Sequence, residues 1–391
     1  MRRIAIVYDC AYPFVQGGGQ KRLYEIATRL LDVGWRVDWY ALKSWSGPDE
    51  LEHQGIVYKS VGKAVDLYGD DGKRSIKETL YFGMKVLCQA RLGGYDLIHA
   101  GQWPYFHLFP AWVYGSLGRA RLVVDWWEVW GAHWYEYYGR KGFLGVQLEK
   151  LCSRLPHGIV SISEIGRDQL RAIGVPDRRM RVIHNGIDFE AIQRAPRKDA
   201  DYTVVYMGRL QQHKNVDHLV RAVAMLRDSG RAVNLQIIGD GPERNALEVL
   251  AGQLGVADAV TFHGRIDSDE EVYGWLKASR LFVHPSTKEG GGSITALEAN
   301  AAGLPVVAYR HPHGISQELI EDGRNGFWVE NVGAEALADG IAHALDSDDA
   351  TGQSERAVDF ASAFDWSALS AQYDGYFRSL IGSLPREASN G

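Results

Sequence analysis

Cysteine is scarce in this chain: Cys10, Cys88 and Cys152 are all it has in 391 residues, with no CxxC pair among them. That excludes a disulfide scaffold and a structural zinc site, and it fits a reducing cytoplasm. Long apolar runs are missing too. None reaches the roughly 18 residues needed to span a bilayer, and Met1-Arg2-Arg3 leads straight into IAIVY, so membrane contact is expected to be peripheral. A cationic excess is absent: 43 Lys and Arg stand against 49 Asp and Glu, a formal charge of −6. A dedicated nucleic-acid binder is therefore not expected. The balance is uneven, however, because residues 1–190 hold 25 cations and 21 anions and the remainder 18 and 28. A mildly basic first half suits an anionic acceptor or membrane surface, with Lys21, Arg22, Arg140 and Lys141 as its candidate contacts. Finally, residues 16–27 read QGGGQKRLYEIA, which lacks the G-x-G-x-x-G spacing of a dinucleotide site, so a nicotinamide cofactor is not supported.

What is present is alternation. Buried-strand patterns at 4–8, 37–41, 97–99, 122–125 and 159–161 alternate with helical patterns at 20–31, 75–91, 106–117 and 145–155. A polar, proline-containing segment at 195–201 reads as a linker. A second series follows, with strands at 203–207, 235–238 and 260–263 and helices at 216–227, 242–254 and 269–278. Alternating strands and helices predict parallel sheets covered on both faces, and the length allows two cores. The expected division is 1–190 with a final helix from about 366 to 391, against 191–365.

Residues 281–308 read as strand, glycine turn, helix and strand without a break. Gly290, Gly291 and Gly292 let backbone N–H groups approach a ligand, and Ser293 is a candidate N-cap for the helix beginning at Ile294. A helix N-terminus of this kind seats a phosphate or diphosphate. Glu289 and Glu298 flank the seat, where each can accept hydrogen bonds from sugar hydroxyls. A plain strand-to-helix turn would read the same way. Farther up the chain, Gly208, Arg209 and Lys214 lie in the loop after a strand, so that two cations can face one diphosphate and stabilise it as it leaves. Gly239, Asp240 and Gly241, followed by Pro242, form a second phosphate-compatible turn. In the first half, DWWEVWGAHWYEYYG at 125–139 carries four tryptophans and three tyrosines after a strand end. Its aromatic faces suit sugar stacking or a lipid interface, and Asp125, Glu128 and His133 are candidate contacts to an acceptor hydroxyl. An aromatic loop packed over a helix is the alternative.

The motifs GRLxxxKN at 208–215, GDGP at 239–242, FHG at 262–264, EGGGS with LEA at 289–299, GLPVVA at 303–308, DGRNG at 322–326 and HNGID at 184–188 resemble those of the retaining glycosyltransferases of family 4. The resemblance implies the GT-B fold, two Rossmann-like doubly wound domains facing a central cleft. It further implies a nucleotide-sugar donor, no metal or other cofactor, and an acceptor that is a glycan, a lipid-linked molecule or a small molecule. On the same ground Arg209 and Lys214 would hold the diphosphate, Glu298 the ribose, and Glu289 with the backbone of Gly291, Gly292 and Ser293 the donor sugar and phosphate. Arg265 would meet the base through its backbone, and Gly18 and Gly19 match a loop that closes on the donor phosphates.

Two departures accompany the resemblance. Glu289 and Glu298 have eight residues between them where the family usually has seven. The family's histidine near the end of the fourth strand is replaced by Trp127, leaving His133, Glu128 or no group in its place. Two rival functions stay open at this point: a GT-B epimerase of UDP-N-acetylglucosamine, and a degenerate sugar-binding subunit that supports a partner transferase.

Overall fold

A computed structural model of the chain describes residues 2–67, 74–118, 120–289, 292–347 and 349–382. It separates into two compact units, one holding the chain up to His184 and again from Ser367, the other Asn185–Trp366.

In the first unit eight strands form one sheet: β1 (Arg2–Val7), β2 (Trp35–Lys43), β3 (Glu50–His53), β4 (Ile56–Lys63), β5 (Leu97–Gly101), β6 (Arg121–Trp126), β7 (Gly158–Ser161) and β8 (Met180–Val182). Their spatial order is β3-β4-β2-β1-β5-β6-β7-β8, parallel throughout except where β3 meets β4. The interior strands are continuous apolar runs because both faces are covered; Ile4 to Val7 and Leu122 to Val124 are fully buried. The covering helices are α1 (Gly18–Asp32), α2 (Ile76–Gln89), α3 (Leu108–Gly118), α4 (His133–Tyr138), α5 (Gly142–Cys152) and α6 (Glu164–Ala172). Ser75 caps α2 and Ser163 caps α6 with their side-chain oxygens.

The second unit opens with α7 (Phe189–Arg194) and has six parallel strands, β9 (Tyr202–Met207), β10 (Leu235–Ile238), β11 (Val260–Gly264), β12 (Ser279–His284), β13 (Val306–Tyr309) and β14 (Gly326–Val329), ordered β11-β10-β9-β12-β13-β14. Its other helices are α8 (Val216–Asp228), α9 (Arg244–Gln253), α10 (Asp269–Lys277), α11 (Ile294–Ala301), α12 (Ala334–Leu345) and α13 (Ala350–Ser362). The last helix, α14 (Trp366–Gly382), packs on the first unit, where Asp374 accepts from the Trp35 indole at 2.7 Å.

Several elements differ from expectation. Helix α1 starts at Gly18, taking the expected glycine turn into its first residues, and α9 starts at Arg244, past Pro242. Six of the fifteen residues of the aromatic stretch, His133–Tyr138, form helix α4 rather than loop. The β3–β4 hairpin lies in a span where no strand was expected; it turns through Gln54 and Gly55, both at positive φ.

Candidate active site

Among the parallel strands of each sheet the order reverses once, and the carboxyl ends of the strands at that point leave a crevice where open α/β sheets bind ligands. In the second unit the reversal falls between β9 and β12. A cavity of about 380 Å³ lies there, lined by Tyr206, Gly208, Arg209, Lys214, His284, Glu289, Gly292, Ser293 and Ile294 among others. Thus seven residues expected in the site line one cavity; Gly239, Asp240, Gly241, Arg265 and Glu298 do not. Gly290 and Gly291 fall outside the described residues.

The cavity wall is built from loops locked to one another. Asn215, in the left-handed conformation at φ 49°, donates from its side-chain amide to the Pro285 carbonyl at 2.9 Å and to Thr287 Oγ1 at 3.2 Å. The Thr287 N–H donates to the His213 carbonyl at 3.2 Å, and the Glu289 N–H to the His313 carbonyl at 2.7 Å. Ser293 caps α11 by accepting from the Ala296 N–H at 3.4 Å, as its position before the helix predicts. The N-terminus of α11, the exposed Arg209 and Lys214 therefore border the same space. Such a space suits an anion.

Lys214 forms an ion pair with Glu289, and His284 Nε2 lies 3.5 Å from the same carboxylate and 3.0 Å from Ser293 Oγ. Burial would raise the Glu289 carboxyl; the His284 ring, the Lys214 cation and hydrogen bonds from Lys214 and Ser286 outweigh it and hold the group below the usual range. Burial lowers His284, so its ring is neutral at pH 7 and Lys214 is the standing cation. Glu289 thus reaches the cationic loop after β9.

The glycines of 239–241 allow a close approach of two loops. A Cβ on Gly239, whose φ is 136°, would lie 2.0 Å from the Gly208 carbonyl oxygen, and one on Gly241 would lie 2.3 Å from that of Leu210. Backbone meets backbone here, with Gly208 N donating to Ile238 O and Leu210 N to Asp240 O, each at 3.0 Å. Asp240 accepts from the Gly241 N–H and sits 3.4 Å from Arg244. Arg265 is exposed and paired with Asp267 at 2.9 Å, while Glu298 on α11 accepts from the Tyr273 hydroxyl at 3.5 Å.

In the first unit the acceptor-side expectation for Asp125 is corrected. Asp125 is fully buried and binds Arg22 Nε at 2.9 Å, His99 Nε2 at 2.9 Å and the Tyr373 hydroxyl at 2.8 Å. Burial would raise its carboxyl, but His99, Arg22 and the Tyr373 bond outweigh it and hold it low. Arg22, expected at the surface, is spent on this cluster and on the carbonyls of Ile183 and His184. Trp127 instead marks the first sheet's reversal, between β1 and β5. Its indole meets Tyr8 edge-on at 5.5 Å, and a Cβ on either Gly19 or Gly101 would fall 2.6 Å from it. Glu128 is exposed and accepts from Trp130 Nε1 at 2.6 Å; His133 pairs with Glu136 at 2.7 Å. Trp130 and Trp134 of the aromatic stretch gather around buried Glu149, whose carboxylate accepts from Tyr105, the Trp130 and Gly131 N–H groups and Trp134 Nε1, while Tyr135 is exposed.

Residues 17–186 match the family described as Glycosyl transferase 4-like domain, and residues 188–361 match Glycosyl transferases group 1. The chain belongs to the group 1 glycosyltransferases. This transferase is 31% identical to D-inositol 3-phosphate glycosyltransferase 2 of Catenulispora acidiphila, over 97% of this chain and 95% of that one. It is 28% identical to a GDP-mannose-dependent α-(1-6)-phosphatidylinositol monomannoside mannosyltransferase of Mycobacterium tuberculosis, over 56% of this chain and 61% of the other. Among solved structures, sucrose-phosphate synthase from Thermosynechococcus elongatus superposes with a TM-score of 0.75 at 22% identity, covering 98% of this chain and all of that one. Anabaena HepE in complex with UDP gives 0.73 at 20% identity, over 97% and 100% of the two chains. These likenesses show the GT-B fold. Sequence reasoning passed over two residues that shape the transferase's cavity: His284, hidden as one polar residue ending an apolar strand, and His313, which acts through its carbonyl.

Proposed function

We propose that this glycosyltransferase moves a sugar, with retention, from a nucleoside-diphosphate donor to a hydroxyl of a glycan, lipid-linked or small-molecule acceptor, in bacterial polysaccharide or glycoconjugate synthesis. The observation that carries the reading is the cavity where Arg209, Lys214, Glu289 and the start of α11 converge. As the glycosidic bond breaks, its electrons pass to the diphosphate oxygen, and the two cations with the helix N-terminus stabilise the charge that develops. The cations supply this without a metal ion. Retention follows from attack on the face that the diphosphate leaves, with the acceptor proton passing to the departing phosphate oxygen. Glu298 takes the ribose, the Arg265 backbone the base, and Gly18 and Gly19 the donor phosphates. Guanine and uracil are the bases proposed, since one relative is named for GDP-mannose and a structural neighbour holds UDP. The acceptor is met in the cytoplasm, at the inner face of the cell membrane.

Thermal stabilisation by GDP, UDP, ADP and dTDP and their sugars, with Lys214→Ala alongside, tests the donor site. A shift for one nucleotide that the variant loses supports the reading, as does slow hydrolysis of the matching sugar donor. No shift with any nucleotide overturns it.

A further inference from the structure

Helices α2, α3 and α5 cover the same face of the first sheet, their inner residues Phe82, Val86, Leu108, Ala111 and Cys152 sharing one core. Helices α2 and α3 are neighbours, the Tyr114 hydroxyl of α3 donating to the Leu87 carbonyl of α2 at 2.8 Å, and α5 reaches the segment before α3, where Cys152 contacts the Tyr105 carbonyl. Their outer sides are apolar where water would be expected. On α2, Ile76, Leu80, Met84 and Leu87 repeat at helical spacing on the exposed side, Met84 being 60% exposed. Helix α3 carries no charged residue, and it exposes Trp112, Val113 and Leu117, the last at 80%. Helix α5 adds Phe143, Leu144 at 69%, and Leu151. A patch of this kind on a water-facing layer marks a docking surface.

Charge decides what docks there. The acids on these three helices, Glu78 and Glu149, are both buried, so the outer face carries none. Lys77, Lys85 and Lys150 lie on the helices, and Arg140 and Lys141 immediately precede α5. We propose that this face rests on an anionic lipid bilayer, its apolar side chains entering the interface and its cations meeting the headgroups. This moves the membrane contact away from Trp130 and Trp134, which are tied to Glu149, and from buried Arg22. It deepens the membrane-side acceptor of the proposed function, yet lipid binding needs no sugar transfer, so the two readings fail separately.

The experiment is flotation of the whole chain with vesicles of 70% phosphatidylcholine and 30% phosphatidylglycerol, against pure phosphatidylcholine. The expected result is binding to the anionic vesicles that weakens with salt and falls more than about tenfold in the triple variant L80E/M84E/L117E. The control M225E/V249E, which alters exposed apolar residues of the second unit, keeps binding. Should the triple variant not fold, K77E/K150E gives the same reading through loss of the salt-sensitive part. No flotation, or flotation that these changes leave intact, overturns the proposal. So does a lipid-free dimer, seen by light scattering, that L80E/M84E/L117E dissociates, since a second copy would then cover the face.

Discussion

Lys214 is the residue on which the donor reading can be put at risk. Without ligand its ammonium is tied to Glu289, and the two side chains are only 18% and 11% exposed. A diphosphate entering the cavity must draw that ammonium partly from the carboxylate. A hydrogen bond to a charged group contributes about 1.5–3 kcal/mol, so Lys214→Met, which keeps the stem, should weaken nucleoside-diphosphate binding roughly 10–100-fold. Glu289→Gln should act in the opposite direction. It releases the ammonium, so the diphosphate alone should bind up to about tenfold more tightly, while sugar transfer falls because the carboxylate is lost. In the Glu289→Gln background, Lys214→Met should then cost more than it does alone, with a coupling of about 0.5–3 kcal/mol.

Titration calorimetry at fixed salt with the stabilising nucleotide measures all four proteins. The sign with pH also follows. The folded Glu289 carboxyl is depressed, so the ion pair is complete above the ordinary carboxylate range and is lost only as pH falls through the lower, folded value. The difference between wild type and Glu289→Gln should therefore be flat from about pH 6 to 8. Lys214→Met binding within threefold of wild type, or Glu289→Gln weakening binding as much as Lys214→Met, would refute the assignment.

Asp125→Asn should destabilise the first unit by about 3–5 kcal/mol, because it strands the buried Arg22 cation, and lower its melting point by roughly 6–20 °C. A loss under about 1 kcal/mol in urea unfolding would contradict the buried pairing. Burial lowers His107 from 6.5 to about 3, so the unfolded chain takes up this proton first and stability drains away as pH falls below 6.5, by about 1.4 kcal/mol per pH unit. Urea unfolding at pH 7 and pH 5 should show His107→Phe losing about 2 kcal/mol less than wild type over that interval. Gly239→Ala should cost more than about 2 kcal/mol and weaken nucleotide binding by displacing the loop that holds Arg209, whereas Gly252→Ala, in α9 with nothing within 4 Å of its new Cβ, should stabilise by up to about 1 kcal/mol. Equal effects from the two glycine changes would sink the backbone-contact argument.

What could be read in the sequence was local. Buried parallel strands are unbroken apolar runs, and the loops at their carboxyl ends announce themselves by glycines and charges at short spacing, so the second sheet, the first sheet apart from β3 and β4, and the cationic loop at 208–215 were legible. The Asp125 cluster was not, because its partners Arg22, Tyr373 and His99 lie 103, 248 and 26 residues away. A carboxylate after a strand looks the same whether it meets solvent or a buried guanidinium. The aromatic stretch misled for a related reason: Glu149, which gathers Trp130 and Trp134, lies 18 and 19 residues from the backbone N–H groups it accepts. The GDGP glycines carried a true signal of close approach, but the approaching group is the neighbouring loop's carbonyl. The outer face of α3 had a signal as well, since an apolar helix without charge reads as buried until the layer around it is known.

The spacing of Glu289 and Glu298 joins these threads. An inserted residue would be expected to carry Glu289 away from the cations if its position were set by the length of the loop that follows it. It is set instead from the other side. Asn215 holds the Pro285 carbonyl, the His313 carbonyl holds the Glu289 N–H, and His284 stands between the Glu289 carboxylate and the capping Ser293. With Glu289 and Ser293 tied in this way, a one-residue difference in the spacing of Glu289 and Glu298 would cost little, because the cost of loop closure rises as the logarithm of length, about 0.6 kcal/mol per doubling. Loop length between the carboxylates can therefore vary while the Lys214–Glu289 pair stays in place, and a count of intervening residues is a weaker guide to this site than the side chains that tie its ends.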